Sequence, residues 1–302
     1  MAEFAWRGVF PALTTPFTAD DRVDFEALGA LVDFQLEAGV HGLIVLGSLG
    51  ENATLEAGEK RDIVAFCRER IGDRAPLVAC VAESSTRAGC DRAREAFEAG
   101  AEGLMVLPPM RYAPDARESH AYLRAVADAT PLPVMLYNNP VAYGTDLRPA
   151  DFEALADEPR FVAIKESSAD TRRIPDIRRR LGERYALFCG VDDLAYECFG
   201  LGAVGWVAGL VVAFPRETVR LYELCTAGRW DEARQLYEWF LPLLHLDIGP
   251  RFVQQIKLVE EILGVGSARV RKPRLPLPAA KRAQIESLVR EVMAGRPAAL
   301  AP

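Results

Sequence analysis

Eight short apolar runs, separated by amphipathic segments, constrain the fold of this chain more than any other feature. The runs cover residues 9–13, 42–46, 77–81, 103–107, 134–137, 161–165, 186–189 and 204–208. Most of them lack polar alternation, as expected for parallel strands that are covered on both faces. The segments between them have helical periodicity, and the one at 25–36 is followed by Gly39, a typical helix-terminating residue. This alternation predicts an α/β fold, a (β/α)8 TIM barrel, with a doubly wound sheet as the alternative.

The strand pattern stops after Pro215. Helical periodicity continues without strands at 217–227, 231–244, 250–263 and 280–293. We therefore predict a barrel core at 1–213 and a C-terminal helical extension at 214–302. We expect the extension to pack on the barrel and not to fold alone.

Composition and charge exclude several classes of protein. The net charge is −7 and the basic runs are short, which argues against a nucleic-acid-binding surface. No apolar run reaches the roughly 18 residues of a membrane helix. The first residues lack the basic and apolar regions of a signal peptide. We therefore expect a cytoplasmic protein that binds neither nucleic acid nor membrane.

Residues that commonly ligate metals or nucleotides are sparse or wrongly placed. The three histidines are scattered and the six cysteines contain no CxxC pair, so no metal site is expected. Asp192 and Asp193 could ligate magnesium, but adjacent acids on a loop more often cap the next helix. The segment 200–205 satisfies GxGxxG but precedes a strand, whereas a dinucleotide fingerprint follows one. A tight turn is the better interpretation.

Lys165 is the most informative candidate residue, because catalytic groups of a barrel lie where its strands end. The chain has five lysines, and only Lys165 ends an apolar strand; the others lie in a polar stretch, an amphipathic helix or the polar tail. Desolvation there favours a neutral amine that can attack a carbonyl and form a Schiff base. The alternative is a lysine that reaches the barrel rim and pairs with Glu166 or Asp192.

Tyr137 and Ser48 favour the catalytic interpretation of Lys165. Tyr137 ends the preceding predicted strand, so its phenol is expected near Lys165 and can move protons. Ser48, in a glycine-flanked turn after the second strand, is a candidate relay hydroxyl. The alternatives are a rim tyrosine with a satisfied hydroxyl and a serine that only stabilises a turn.

Five motifs occur in order at the predicted strand ends. They are PALTTPF (11–17), GSLGE (47–51), YNNP (137–140), IKE (164–166) and GVDD (190–193). Together they make the chain similar to the N-acetylneuraminate lyase / dihydrodipicolinate synthase family of class I, lysine-dependent barrels. The resemblance implies that Lys165 forms the Schiff base, that Tyr137 donates and accepts the proton, and that Ser48 links Tyr137 to solvent. It also implies a homotetramer, built as a dimer of dimers, and no cofactor, because the intermediate is covalent.

The candidate substrate contacts lie around these three residues. They are Ser48, Leu49, Asn139, Tyr143, Ser167, Gly190, Val207 and Arg111. Backbone N–H groups of the turn 47–50 are further candidates for binding a substrate carboxylate. Arg111 has the alternative of a solvated or inter-subunit contact, and Ser167 and Ser168 have the alternative of capping the next helix.

Three positions differ from the synthases that the chain resembles. Leu49 replaces a second threonine, Arg111 a tyrosine that reaches a neighbouring subunit, and Ala142 the arginine for the substrate carboxylate. These three changes argue against dihydrodipicolinate synthesis. The combination of PPMRY (108–112), YNNPVAYG (137–144), GVDDL (190–194) and PLLHLD (242–247) is most similar to the family members that are Δ1-pyrroline-4-hydroxy-2-carboxylate deaminases.

The resemblance therefore implies conversion of Δ1-pyrroline-4-hydroxy-2-carboxylate to 2-oxoglutarate semialdehyde and ammonia, a step of hydroxyproline catabolism. The alternatives are another class I 2-oxo-acid aldolase, synthase or sugar-acid dehydratase of the family, and a small-acid sensor without catalysis. The presence of Lys165, Tyr137 and Ser48 together argues against the sensor, because binding alone needs no nucleophile.

Overall fold

Eight parallel strands form the centre of the molecule. A computed structural model describes residues 4–109, 112 and 114–297 of the chain. The strands are β1 (Gly8–Pro11), β2 (Leu43–Val45), β3 (Leu77–Val81), β4 (Gly103–Val106), β5 (Val134–Asn138), β6 (Phe161–Glu166), β7 (Ala186–Cys189) and β8 (Gly205–Ala208). All eight coincide with predicted runs and differ from them by at most two residues at an end.

Helices alternate with these strands and then follow them. They are α1 (Phe25–Glu37), α2 (Ala57–Ile71), α3 (Thr86–Glu98), α4 (Ala116–Asp128), α5 (Pro140–Tyr143), α6 (Pro149–Ala154), α7 (Arg173–Leu181), α8 (Ala195–Gly200), α9 (Pro215–Thr226), α10 (Trp230–Leu244), α11 (Phe252–Leu263) and α12 (Ala279–Ala294). Single 3-10 turns lie at Asn52–Thr54, Asp192–Leu194, Leu210–Val212 and His245–Asp247.

The order of the strands establishes a barrel. Neighbours follow the order β1-β8-β7-β6-β5-β4-β3-β2, and every pair is parallel. β1 and β2 meet through a parallel bridge between Ala12 and Ile44, where the Leu13 N–H donates to the Ile44 carbonyl at 2.8 Å. A doubly wound sheet has two open edges and a strand-order reversal. The (β/α)8 prediction is therefore confirmed.

Aromatic side chains fill the base of the barrel where glycines leave room. The Phe10 and Phe188 rings pack edge to face with centroids 5.4 Å apart. A Cβ added to Gly42 would lie 2.3 Å from Phe10, and one added to Gly205 would lie 2.3 Å from Phe188. These two glycines therefore allow the rings to pack in a narrow interior.

The glycines at 200–205 connect α8 to β8, as the turn interpretation predicts. Gly200 ends the helix and Gly205 begins the strand. Gly202 between them has a φ of +100°, a backbone conformation that favours glycine. The segment therefore does not follow a strand as a dinucleotide fingerprint does.

The C-terminal helices contact the barrel through several elements. α9 packs against β1, and α10 and α11 both pack against α12. The 3-10 turn at His245–Asp247 lies against the turn at Asp192–Leu194, just after β7. Through this contact the chain after α10 reaches the end of the barrel at which the strands terminate.

Candidate active site

Lys165 and Tyr137 lie side by side at the ends of neighbouring strands. The two residues are directly in register between β5 and β6. Lys165 Nζ lies 4.1 Å from the centroid of the Tyr137 ring, and the two residues are 7% and 4% exposed. The structure thus brings together the two residues on which the sequence-based mechanism depends.

Lys165 differs from the other buried lysines in its partners. Lys60 and Lys257 are also buried, contrary to what their polar and amphipathic surroundings indicated, and they pair with Glu83 and Glu51 at 2.8 and 2.9 Å. Lys165 forms no ion pair with any carboxylate of the described residues. It is therefore the one buried lysine in that part of the chain whose amine lies against an aromatic face without a close counter-charge.

Glu166 and Asp192, the two suggested partners of Lys165, are engaged elsewhere. Glu166 accepts hydrogen bonds from Asn138 Nδ2 at 3.1 Å and from the Ser168 N–H at 2.7 Å. Consecutive strand residues face opposite sides, so Glu166 points away from the Lys165 side chain. Burial raises the pKa of the Glu166 carboxyl above its ordinary value.

Asp192 braces the end of β8. Its carboxylate accepts hydrogen bonds from Trp206 Nε1 at 3.0 Å, the Gly209 N–H at 3.0 Å and the Leu210 N–H at 2.7 Å. It makes no side-chain cap to the 3-10 turn that it begins, so the predicted capping role is wrong. Burial raises the pKa of Asp192, and the nearby Lys165 charge opposes that rise.

The hydroxyl groups of Ser48 and Tyr143 form a pair near Tyr137. The Ser48 Oγ and the Tyr143 hydroxyl are hydrogen-bonded, although the residues are 95 positions apart. The Tyr143 ring lies edge-on to the Tyr137 ring, with centroids 6.5 Å apart. Burial, followed by the nearby Tyr137, raises the pKa of Tyr143 above its ordinary value. The hydroxyl partner that the structure gives to Ser48 is thus Tyr143 of the same chain.

Asn139 connects Tyr137 to the short helix that carries Tyr143. Its Nδ2 donates to the Tyr137 hydroxyl at 3.0 Å, and its Oδ1 accepts from the Ala142 N–H at 3.0 Å as the N-cap of α5. The strand end and the helix are therefore held by one side chain. Sequence reasoning proposed Asn139 and Tyr143 as substrate contacts, and the structure places both beside Tyr137.

Ser167 and Gly190 form the wall behind Lys165. Ser167 Oγ donates to the Gly190 carbonyl at 2.9 Å. A Cβ added to Gly190 would lie 2.0 Å from Ser167 Oγ and 2.8 Å from Lys165 Cε. α7 has Arg172 at its N-cap position, so neither Ser167 nor Ser168 caps that helix.

The other predicted contacts, and Ala142 among the differing positions, form no hydrogen bond with Lys165 or Tyr137 in the described part of the chain. Leu49 is buried next to Ser48, and Val207 is buried in β8 in register with Phe10. Ala142 is exposed on α5. Arg111 lies outside the described residues.

The network of polar residues behind the site was not predicted from the sequence, although Asn138 and Glu166 lie in the sequence motifs. Asn138 donates to Asp146 Oδ1 at 3.2 Å and to Glu166, and its Oδ1 accepts from the Leu147 N–H at 2.8 Å. Arg173 pairs with Asp146 at 2.7 Å. Besides their place in the motifs, the sequence signal for Asn138 and Glu166 is that each directly follows a predicted catalytic residue and so lies on the opposite face of its strand.

No group of three or more His, Cys, Asp or Glu side chains in the described part of the chain is arranged to hold a metal ion. Within the same residues, no helix has the length and apolar character required to cross a membrane.

A (β/α)8 barrel with a buried lysine against a tyrosine at its strand ends defines a class of Schiff-base enzymes. Residues 5–292 match the Dihydrodipicolinate synthetase family. The chain therefore belongs to that family, and the family resemblance of its motifs is confirmed.

Curated relatives and solved structures agree with this assignment. The chain is 36% identical to the 4-hydroxy-tetrahydrodipicolinate synthase of Sorangium cellulosum, covering 99% of this chain and 100% of the relative. It is 30% identical to the enzyme of the same name from Parabacteroides distasonis, covering 97% and 99%. A putative dihydrodipicolinate synthetase from Pseudomonas aeruginosa superposes with a TM-score of 0.91 at 30% identity, covering 95% and 100%.

A further structure is similar in fold and was solved with a ligand. It is a prophage protein of the dihydrodipicolinic acid synthase family from E. coli K12 in complex with pyruvate, with a TM-score of 0.90 and 28% identity, covering 95% of this chain and 99% of that one.

Proposed function

We propose that the protein is a class I enzyme in which Lys165 forms a Schiff base with the C2 carbonyl or imine carbon of a small 2-oxo acid or its cyclic imine. The observation that carries this proposal is the buried Lys165 amine against the Tyr137 ring, 4.1 Å from its centroid. Elsewhere in the described chain the buried lysines Lys60 and Lys257 are paired with Glu83 and Glu51. An amine without such a partner is better suited to nucleophilic attack.

Tyr137 is the proposed acid and base of this chemistry. Attack of the amine on a 2-oxo acid gives a carbinolamine, whose hydroxyl must be protonated to leave as water. The Tyr137 ring lies against the amine, and Asn139 fixes the position of the phenol hydroxyl through a hydrogen bond of 3.0 Å. A positioned proton donor of this kind typically contributes about 10²–10⁴-fold to a rate. No cofactor is required, because the intermediate is covalent on Lys165.

Ser48 and Tyr143 are the proposed continuation of the proton path. Their hydroxyls are hydrogen-bonded, and the Tyr143 ring borders Tyr137. Ser48 lies in the turn 47–51, whose N–H groups are candidates for the substrate carboxylate. The carboxylate group of the substrate would then lie at this turn while its carbonyl group faces Lys165.

The first candidate reaction is the one for which the relatives are named, 4-hydroxy-tetrahydrodipicolinate synthesis. Identities of 30–36% over almost the whole chain support it. This is the 2-oxo-acid synthase alternative of the sequence analysis.

The second candidate is deamination of Δ1-pyrroline-4-hydroxy-2-carboxylate. It is favoured by Leu49, whose buried side chain offers no second hydroxyl beside Ser48, and by the exposed Ala142, which offers no guanidinium. Lys165 would attack C2 and open the ring, and loss of a C3 proton would give an enamine that expels the C4 hydroxyl. Isomerisation and hydrolysis at C5 then release ammonia, and hydrolysis of the Schiff base at C2 frees the product and Lys165. One water leaves from C4 and two are consumed, so each substrate consumes one water in total.

Borohydride trapping tests the shared mechanism. Pyruvate with sodium borohydride should add the reduced ligand to Lys165, located by peptide mass mapping, and Lys165→Arg should give no adduct. An active enzyme without an adduct at Lys165 would contradict the proposal. Ammonia release from the pyrroline substrate, measured beside condensation of pyruvate with aspartate semialdehyde, separates the two reactions.

A further inference from the structure

Asp247 brings an acidic group from the C-terminal helices to the end of the barrel. It ends the 3-10 turn between α10 and α11, and this turn lies against the turn at Asp192–Leu194. A Cβ added to Gly209, just after β8, would lie 2.5 Å from Asp247 Oδ1. The carboxyl group therefore lies against the strand ends, at the same end of the barrel as Lys165 near the end of β6.

Asp247 lies at the end of the barrel that carries Lys165, because its turn contacts the turn at Asp192–Leu194. Burial, followed by the Asp192 charge, raises the pKa of Asp247 well above its ordinary value, and the Lys165 charge opposes that rise. The approach of Asp247 to Gly209 and the contact between the two turns place it at the candidate site and not at a remote surface.

Asp247 and Asp192 differ in the partners of their carboxylate oxygens. Asp192 accepts from one indole and two backbone N–H groups, which fix it as a brace for the end of β8. Asp247 is partly exposed and forms no ion pair with a basic side chain of the described residues. A partly exposed carboxyl group without an ion pair is available to a ligand, whereas the oxygens of Asp192 are already used in hydrogen bonds that stabilise the fold.

We propose that Asp247 contacts the end of the substrate distal to its carbonyl and selects a hydroxyl or amine there over a carboxylate. This proposal rests on the proposed function, because it requires the substrate to be attached to Lys165. A hydroxyl or amine can hydrogen-bond to the Asp247 carboxyl group. A distal carboxylate would instead add a third acidic group beside Asp247 and Asp192, and one more negative charge in this partly desolvated site is unfavourable.

The chemistry of the second candidate reaction fits this selection. Its ring-opened intermediate carries a free amine at C5 and a hydroxyl at C4, both distal to the Schiff base at C2. Asp247 would hold these groups while Tyr137 moves the proton at C3. The substrate class is therefore a 2-oxo acid, or its cyclic imine, with a neutral or cationic polar group at C4 or C5.

Borohydride trapping of matched five-carbon ligands tests the role of Asp247. The probes are 5-hydroxy-2-oxopentanoate, 2-oxopentanoate and 2-oxoglutarate, which differ in the distal group, with pyruvate as the reference. In the wild type we expect the hydroxyl ligand to be trapped at least about tenfold more efficiently than 2-oxoglutarate, as one hydrogen bond or one like-charge contact allows.

Variants of Asp247 should change this ratio in a graded way. Asp247→Leu should bring it to about one, and the near-isosteric Asp247→Asn should lower it by restoring part of the 2-oxoglutarate trapping. Glu238→Gln, on the exposed face of α10, should leave the ratio unchanged. A wild type without preference, or a ratio unaffected in both Asp247 variants, would overturn the inference. Absence of any adduct, including that of pyruvate, would instead overturn the proposed function.

Discussion

Gly190 determines how closely the chain after β7 approaches Lys165. A Cβ at this position would overlap Ser167 Oγ and press on Lys165 Cε, at 2.0 and 2.8 Å. Gly190→Ala should therefore displace the amine from the Tyr137 ring and slow borohydride trapping of pyruvate about tenfold or more, because small misplacements of reacting groups are costly. Gly200→Ala is the matched control, since an added Cβ meets nothing there within 4 Å. Equal trapping rates in the two variants would argue against this positioning role.

Tyr143 should act through Ser48 and not independently of it. Tyr143→Phe removes the hydroxyl that bonds Ser48, and Ser48→Ala removes its partner. Each change should reduce the rate of Schiff-base formation about 10- to 100-fold and alter its pH profile, as expected for a proton path. The double variant should be no slower than the slower single one, because both changes break the same link. Additive losses with an unchanged pH profile would contradict a shared path.

The contact between Lys165 and Tyr137 could be predicted from sequence, whereas that between Ser48 and Tyr143 could not. Lys165 and Tyr137 each end an apolar run, and consecutive parallel strands of a barrel place such ends side by side. Tyr143 lies in a four-residue helix whose direction depends on the Asn139 cap. No periodicity in so short an element indicates which side chain it presents to a turn 95 residues earlier.

At the level of elements, α11 fixes the turn that carries Ser48. Lys257, on this helix, is 1% exposed and donates to the Thr15 carbonyl at 2.8 Å and to Glu51 Oε1 at 2.9 Å. Glu51 is fully buried, and its other oxygen accepts from the Arg271 N–H at 3.1 Å. The turn at 47–51 is therefore anchored by two separate parts of the C-terminal region.

Removing this anchor should destabilise the protein strongly. Lys257→Met leaves the Glu51 carboxylate buried without its lysine, and breaking a buried pair in this way typically costs about 3–5 kcal/mol. The free energy of unfolding in urea, measured at one protein concentration, checks this. Arg234→Met breaks an exposed pair with Glu238 on α10 and should cost less than about 1 kcal/mol. A similar loss in both variants would show that the buried pair has no special role.

At the scale of the whole molecule, the barrel followed from the sequence, but the connections of the C-terminal helices did not. The eight apolar runs predict eight covered strands because the apolar composition of each run indicates that this segment is buried. Lys257 and Asp247 instead lie in segments with ordinary helical patterns, and their partners Glu51 and Gly209 are distant in sequence. Such contacts depend on how helices dock on the completed barrel, which local pattern does not encode.

The same docking buries a carboxyl group whose titration should be visible in the stability of the protein. Glu260, on α11, is 1% exposed and accepts a hydrogen bond from Thr14 Oγ1 at 2.9 Å. Burial raises the pKa of Glu260 from 4.5 to about 8. Between these two values the folded protein binds a proton that the unfolded chain has released, so stability decreases as the pH rises through this window.

Glu260→Gln should remove this contribution while keeping an acceptor for Thr14. The free energy of unfolding of the wild type should fall more steeply than that of the variant from pH 4.5 to about 8. The difference in slope is at most about 1.4 kcal/mol per pH unit, the value for one proton. Urea unfolding at a series of pH values measures it, with Glu238→Gln on the exposed face of α10 as the control that should follow the wild type. If the slopes of the wild type and Glu260→Gln coincide, Glu260 releases its proton at the same pH in the folded and the unfolded protein. The contacts with Lys257 and Thr14 would then fully offset the effect of burial on its pKa.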